Sequence, residues 1–304
     1  MTQEKCCCGQ EKTSVLLPIN ALRLPFCGMG IEVDPEAIKD LAGCSCEGGQ
    51  PQPGGRVRVT EDLHVYVDGN RAESGDGLSP ETAAKSYEDA VKIISGYDGC
   101  NSYNVTVHFE DLANEGYYPN IEVYKSHFST FVRLTFTGHS YLTTRFTEIY
   151  LRDSAVLWIT EVRVRVVQIQ DGYIRLTGNI AVDEHYSGIN NNFAVLGGIM
   201  SFVNCNVAIY ATQCTYLFTS THNGDMRFSN ATMVMQNQLT VSGAFALAML
   251  GGLIFIGGNT SFSGSAIGQK YHSTCSGMIY TGTNNQNVFP GTSAGIVDKG
   301  GQYY

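Results

Sequence analysis

The richest candidate for acid–base chemistry in this chain is Asp183-Glu184-His185, which lies just after a predicted strand. Asp171, Glu161 and Asp153 precede it at intervals that would place them on neighbouring coils of a repeating fold. A glycosidase needs two carboxylates roughly 5–10 Å apart, one to protonate the leaving oxygen and one to attack or to activate water. A polysaccharide lyase on a β-helix needs acidic calcium ligands and a basic proton acceptor instead. The same three residues also read as a solvated polar loop. Beyond His185 only Asp225 and Asp298 offer a carboxylate, so later coils lack the acidic column of a long saccharide groove. The expectation is therefore no catalysis. Asp183 and Glu184 are the fallback pair should the protein cleave polysaccharide.

Other chemistry-bearing groups point less sharply. Six of the ten cysteines, Cys6, Cys7, Cys8, Cys27, Cys44 and Cys46, crowd into the first 46 residues. Zinc is not expected there, because the pairs lack the gap of known zinc knuckles and three adjacent cysteines cannot face one tetrahedral centre. A disulfide formed after release and no special chemistry both stay open. Cys100, Cys205, Cys214 and Cys275 are scattered and read as small buried hydrophobes. Asp68, Asn70, Glu73 and Asp76 could circle calcium, but Ala72 and Gly75 break the EF-hand register, and self-capping turns fit better. Gly28-Met-Gly30 starts a dinucleotide fingerprint that Val33 ends. Asn230-Ala-Thr232 and Asn259-Thr-Ser261 match a glycosylation sequon at predicted turns. No cofactor or metal is expected. Tyr271, His272, Tyr280, Tyr303 and Tyr304 gather near the C-terminus, where sugar rings or a second subunit could stack.

The elements that must position these residues announce themselves by repetition. An apolar, any, apolar, any, Gly-or-Asn pattern occurs as Ile174-Arg-Leu176-Thr-Gly178, Met200-Ser-Phe202-Val-Asn204, Met226-Arg-Phe228-Ser-Asn230, Leu253-Ile-Phe255-Ile-Gly257 and Tyr280-Thr-Gly282-Thr-Asn284. Its closing residues step by 26, 26, 27 and 27. Ile149-Tyr-Leu151-Arg-Asp153 and Leu134-Thr-Phe136-Thr-Gly138 are earlier cousins. Alternation ending in Gly or Asn is a short strand running into a tight turn. A fixed period of this length marks units that bury their apolar faces only by stacking, and it fits one coil of a parallel β-helix. Successive coils should lie about 4.8 Å apart. The expected inward columns are Leu176, Phe202, Phe228 and Phe255, and Ile174, Met200, Met226 and Leu253. Arg175, Ser201, Arg227 and Ile254 should point outward.

Residues 1–55 form a Cys-, Gly- and Pro-rich arm whose one helical stretch runs from Asp34 to Ala42. Such an arm cannot build a core alone, and it suits an anchoring role. Residues 56–115 read as a strand, an amphipathic helix opened by Ser79-Pro80-Glu81, and a second strand, together a cap over the open end of the coils. Residues 116–270 would be the coils and 271–304 a terminal segment. Net charge is −9 with no basic cluster, which argues against nucleic acid. From Tyr186 to Tyr304 only Asp225, Arg227, Lys270, Asp298 and Lys299 are charged, five of 119 residues. Copies of the chain should cover such a surface, with Ile254 and its apolar neighbours in the contact. No signal peptide or membrane span is expected: the longest apolar stretch, Ala244 to Ile256, is 13 residues and carries Gly251-Gly252.

Two stretches carry a resemblance. Val65-Tyr-Val-Asp-Gly-Asn70, Gly75-Asp-Gly-Leu-Ser-Pro80, Ala83-Ala-Lys-Ser-Tyr87 and Ala90-Val91 are similar to the opening of bacteriophage tail spike and tail fibre β-helix proteins. Gly257-Gly-Asn-Thr-Ser-Phe-Ser-Gly264, Gly268-Gln-Lys-Tyr271, Phe289-Pro-Gly291, Ala294-Gly295 and Gly300-Gly-Gln-Tyr303 resemble the terminal coils of phage and prophage tail fibres. The resemblance spans residues 63–304. It implies an all-β, right-handed parallel β-helix assembled as a homotrimer. It further implies attachment to the baseplate, tail or neck of a virion by the N-terminal arm, and a distal part that meets a host surface glycan or protein receptor. The expected place of such a protein is the virion, after synthesis in the host cytoplasm. A polysaccharide depolymerase and a purely structural neck or head fibre are the alternatives on the same fold.

Overall fold

The computed structural model describes residues 55–184, 191–282 and 285–304, together with one antiparallel pairing of Leu22–Arg23 with Glu32–Val33. Met1–Gly54 and Gly55–Tyr304 are two compact units. The six clustered cysteines, and with them the anchoring role, lie outside the described residues.

Every strand pairing described in the second unit is parallel, and each strand pairs with its equivalent one coil on. The result is a parallel β-solenoid of about seven turns with three sheets. The first sheet stacks Leu63–Val67, Val105–Phe109, Leu134–Gly138, the starts of Ala155–Ile169, Gly172–Val182 and Ile199–Ile209, then Asp225–Ser229, Leu253–Gly257, Met278–Tyr280 and Gln302–Tyr303. The second takes the start of Arg145–Leu151, later parts of the three long strands, Thr232–Met235 and Ser261–Ser263. The third runs from Ile121–Val123 through Asn191–Val195, Gln213–Ser220, Leu239–Ala248 and Ala266–Ser273 to Ile296–Val297. Residues beyond 271 thus continue the coils.

Alternation makes the core. Leu157, Ile174, Met200, Met226, Ile254 and Ile279 form one fully buried column of the first sheet, and Ile159, Leu176, Phe202, Phe228 and Ile256 the next. The first three coils keep the expected phase. The fourth does not: Phe255 is 37 % exposed and Leu253 half-buried, while Ile254 is wholly buried and so cannot lie on a subunit contact. Leu253 to Ile256 are four apolar residues in a row, so alternation could not choose the phase. The left-handed turn residue is Gly258 (φ +57°), matching Gly178, Asn204 and Asn230, rather than Gly257. Tyr280 shifts likewise: it pairs with Phe255 and faces out, while Ile279 faces in. Asn284 lies outside the described residues. Ile149 and Leu151 belong to the third sheet, where they pair with Val167 and Ile169.

Near the start of the second unit, Ser79 caps only a short 3-10 turn, Pro80–Thr82. Ala84 then hydrogen-bonds Tyr66 and Asp68 through the backbone, which pins the chain and ends that turn. The α-helix, α1 (Tyr87–Ser95), starts later with Ser86 accepting from the Asp89 amide. Its face of Tyr87, Ala90 and Ile94 joins the core. The strands flanking it, Leu63–Val67 and Val105–Phe109, pair directly with each other as rungs of the first sheet.

Candidate functional site

Asp183 closes the second-sheet part of Gly172–Val182, and its side chain is 8 % exposed. Arg163, one coil earlier, donates from Nε to its Oδ1 at 2.7 Å and adds a second contact from Nη2. The Tyr117 hydroxyl donates to Oδ2. Both carboxylate oxygens are therefore engaged, and neither is presented to a substrate. Burial, and then the bond to Asp183, raises the Tyr117 hydroxyl above its ordinary pKa. The Arg165 guanidinium lies 3.8 Å from the Tyr117 ring centre, and that of Arg163 4.6 Å from Tyr210. The cluster is a charged, aromatic seam along the outside of the second sheet.

The other acidic candidates are spent on structure. Glu184 is exposed and accepts from Thr212 Oγ1 (2.7 Å) and Gln213 Nε2 (3.0 Å) of the next coil. Glu161 sits in a left-handed corner (φ +53°) and accepts from the Asn179 amide and side chain, both at 3.0 Å. Asp171 accepts from Ser154 Oγ at 2.8 Å, and Asp153 is a left-handed turn residue. His185 lies outside the described residues. Asp68 bonds the Asn70 amide and Asp76 the Leu78 amide, which closes their turns. Among the described residues no three His, Cys, Asp or Glu side chains gather as metal ligands, and no helix is long and apolar enough to cross a membrane.

The C-terminal aromatics divide. Tyr271 is 2 % exposed and stacks inside the coil on Tyr303 at 4.1 Å, so it offers no platform to a receptor. Tyr303 donates to the Asn285 carbonyl, and burial pushes its hydroxyl up to about 12. His272 faces outward on the third sheet, with Nε2 3.2 Å from Asp298 Oδ1. Tyr304 and Tyr280 are exposed, and Tyr280 stacks on Phe255 at 5.1 Å.

That stack belongs to the most distinctive surface, the outer face of the first sheet. One outward column runs Thr135, Trp158, Arg175, Ser201, Arg227, Phe255, Tyr280, and beside it runs Val156, Tyr173, Ile199, Asp225, Leu253, Met278. The face changes character along its length. Its early coils hold the chain's one tryptophan between arginines: the Arg133 and Arg175 guanidinium carbons are 3.8 and 4.6 Å from the Trp158 ring centre. Its late coils are apolar and aromatic. Trp158, Arg133 and the face as a whole carry no sequence motif; only Arg175, Ser201 and Arg227 follow directly from the alternation.

Cys205 faces the interior of the second sheet, and burial pushes its thiol up to about 12. The folded state then holds a proton that the unfolded chain loses near its ordinary value of 9.0. Its contribution to stability is complete below that pH and falls as pH rises toward 12, by up to about 1.4 kcal/mol per unit. Urea midpoints measured from pH 8 upward should decline less steeply in Cys205→Ala than in the natural protein.

In comparisons with known proteins, the chain matches no family model, no curated protein and no solved structure.

Proposed function

We propose that this protein is a structural and surface-recognition subunit of a phage tail, a fibre or short spike built as a trimer of right-handed β-helices. Residues 1–55 attach it to the particle, α1 covers the first rungs, and the solenoid faces the host. One observation carries the reading: the late coils of the first sheet expose Phe255 and Tyr280 beside half-buried Leu253 and Met278, within a final stretch of 119 residues that carries only five charges. An exposed apolar patch of this kind marks a contact surface. Three copies around a closed axis would bury it without leaving edges for further growth. The engaged oxygens of Asp183 support a binding role over a hydrolytic one.

Sedimentation should give a trimer, and Phe255→Glu should shift it toward monomer by placing three carboxylates in the contact. Removing residues 1–55 should leave that trimer folded but unable to enter particles. A stable, non-aggregating monomer of the natural protein, or normal incorporation of the truncated one, would refute the corresponding part of the reading.

A further inference from the structure

Arg133 and Arg175 are unusual among the arginines of the solenoid. Arg145, Arg152, Arg163 and Arg227 each have a carboxylate partner: Glu115, Glu122, Asp183 and Asp225. Among the described residues Arg133 and Arg175 have none; their buried Nε atoms lack a hydrogen-bond partner, as do those of Arg145 and Arg152, so the missing carboxylate is what sets them apart from those two. Asp62 is near enough to Arg133 to feel its charge, but its oxygens are taken by the amide and side chain of Asn104 at 2.8–3.1 Å. Two cations are thus held against one indole, on the coils before and after it. Stacking on Trp158 orients the guanidinium groups and offsets part of their mutual repulsion. It leaves their charge unneutralised.

We propose that Arg133, Trp158 and Arg175 form a binding site for an acidic saccharide, whose carboxylate or sulfate groups the two guanidinium groups hold. The inference rests on the surface-recognition reading above and names the ligand class. A guanidinium fork matches a carboxylate or sulfate in shape as well as charge. Their guanidinium carbons lie 3.8 and 4.6 Å from one ring centre, so acidic groups on the same or neighbouring sugar rings can reach both. Half-buried Tyr173, beside Trp158 on the next coil, adds ring surface for the apolar face of a sugar. A dense polyphosphate fits poorly, since the chain carries a net charge of −9. A saccharide with one charge every ring or two meets the local cations without that long-range penalty.

Trp158 is the sole tryptophan, so its fluorescence reports this site directly. Titrating the full chain with polygalacturonate and with dextran sulfate should give a saturable change for at least one of them, and uncharged dextran should give none. Arg133→Gln and Arg175→Gln should each weaken binding about ten-fold, the usual cost of a lost charged hydrogen bond. Arg152→Gln, on another sheet, should leave it within about two-fold. Circular dichroism confirms that each variant is folded. If a variant does not fold, Arg175→Lys serves instead, retaining charge but losing the fork, and should bind measurably less well. No response to either polyanion would overturn the site. So would an equal response to dextran, equally tight binding of inorganic sulfate, or unchanged affinity in the double Gln variant. Cell binding separates this inference from the reading beneath it. Equal attachment of natural and double-variant protein to host cells removes this site and leaves surface recognition standing. Failure of the natural protein to attach removes surface recognition, while the titration still decides the site.

Discussion

Phe228→Ala should destabilise the solenoid by about 3–5 kcal/mol, enough to remove much of the stability of an ordinary domain. Phe228 is completely buried. Its ring lies parallel to Phe202 of the preceding coil at 4.6 Å and meets Phe218 edge-on at 5.0 Å and Phe262 at 5.8 Å. Those neighbours come from all three sheets, so the ring sits where the sheets converge. Truncation removes its own burial and leaves a cavity. The surrounding coils cannot collapse into it, because each is fixed by backbone bonds to the coils on either side. Arg227→Ala, one residue away on the exposed face, loses only its surface pair with Asp225 and should cost less than about 1 kcal/mol. Urea unfolding of the two variants measures the contrast. Equal midpoints would mean that the inward and outward faces are wrongly assigned.

The contrast between these neighbours is legible in the sequence, because alternation and a repeated corner residue jointly set the phase of three coils. It fails where one of the two signals is silent. In the coil of Leu157 and Ile159 the corner is Glu161, a residue seldom found at positive φ, so the corner signal is missing there. At Leu253–Gly257 both parities are apolar. A second column in the same sequence resolves that ambiguity: Gly172, Gly198, Gly224, Gly252, Gly277 and Gly301, which step by 26, 26, 28, 25 and 24. They occupy the corner just before the first sheet, where the backbone passes close to the preceding coil. A Cβ on Gly252 would lie 2.1 Å from the Ser220 carbonyl oxygen, and one on Gly277 2.2 Å from that of Ala248. Aligning Gly252 with Gly198 puts Ile254 in the column of Met200, as observed. The outer face was only half legible. Alternation says that Arg175 points outward, but its partners depend on which coil lies beside it and on side-chain rotamers. The phase error at Phe255 likewise hid the Phe255–Tyr280 stack.

The same limit governs Asp183, whose partners Tyr117 and Arg163 stand 66 and 20 residues away in sequence. Read locally, it belongs to an exposed acidic loop; read in three dimensions, it neutralises a mostly buried arginine. Asp183→Ala should therefore cost about 3–5 kcal/mol, because it leaves the Arg163 charge desolvated without a partner and the Tyr117 hydroxyl without an acceptor. The side chains of Arg163 and Asp183 are only 17 % and 8 % exposed, so water cannot readily replace either one. Replacing both, as in Arg163→Met with Asp183→Leu, should cost much less than Asp183→Ala alone, since no lone charge remains. A catalytic Asp183 would behave in the opposite way. Its replacement would abolish polysaccharide cleavage while leaving the urea midpoint near that of the natural protein, as freeing an active-site group from its role does not weaken the scaffold. Measuring midpoints and the release of reducing ends on the same three proteins separates these outcomes. An Asp183→Ala midpoint within about 0.5 kcal/mol of the natural value would exclude the structural role. A large loss for the single variant, largely recovered in the double, would establish that this carboxylate holds two coils together.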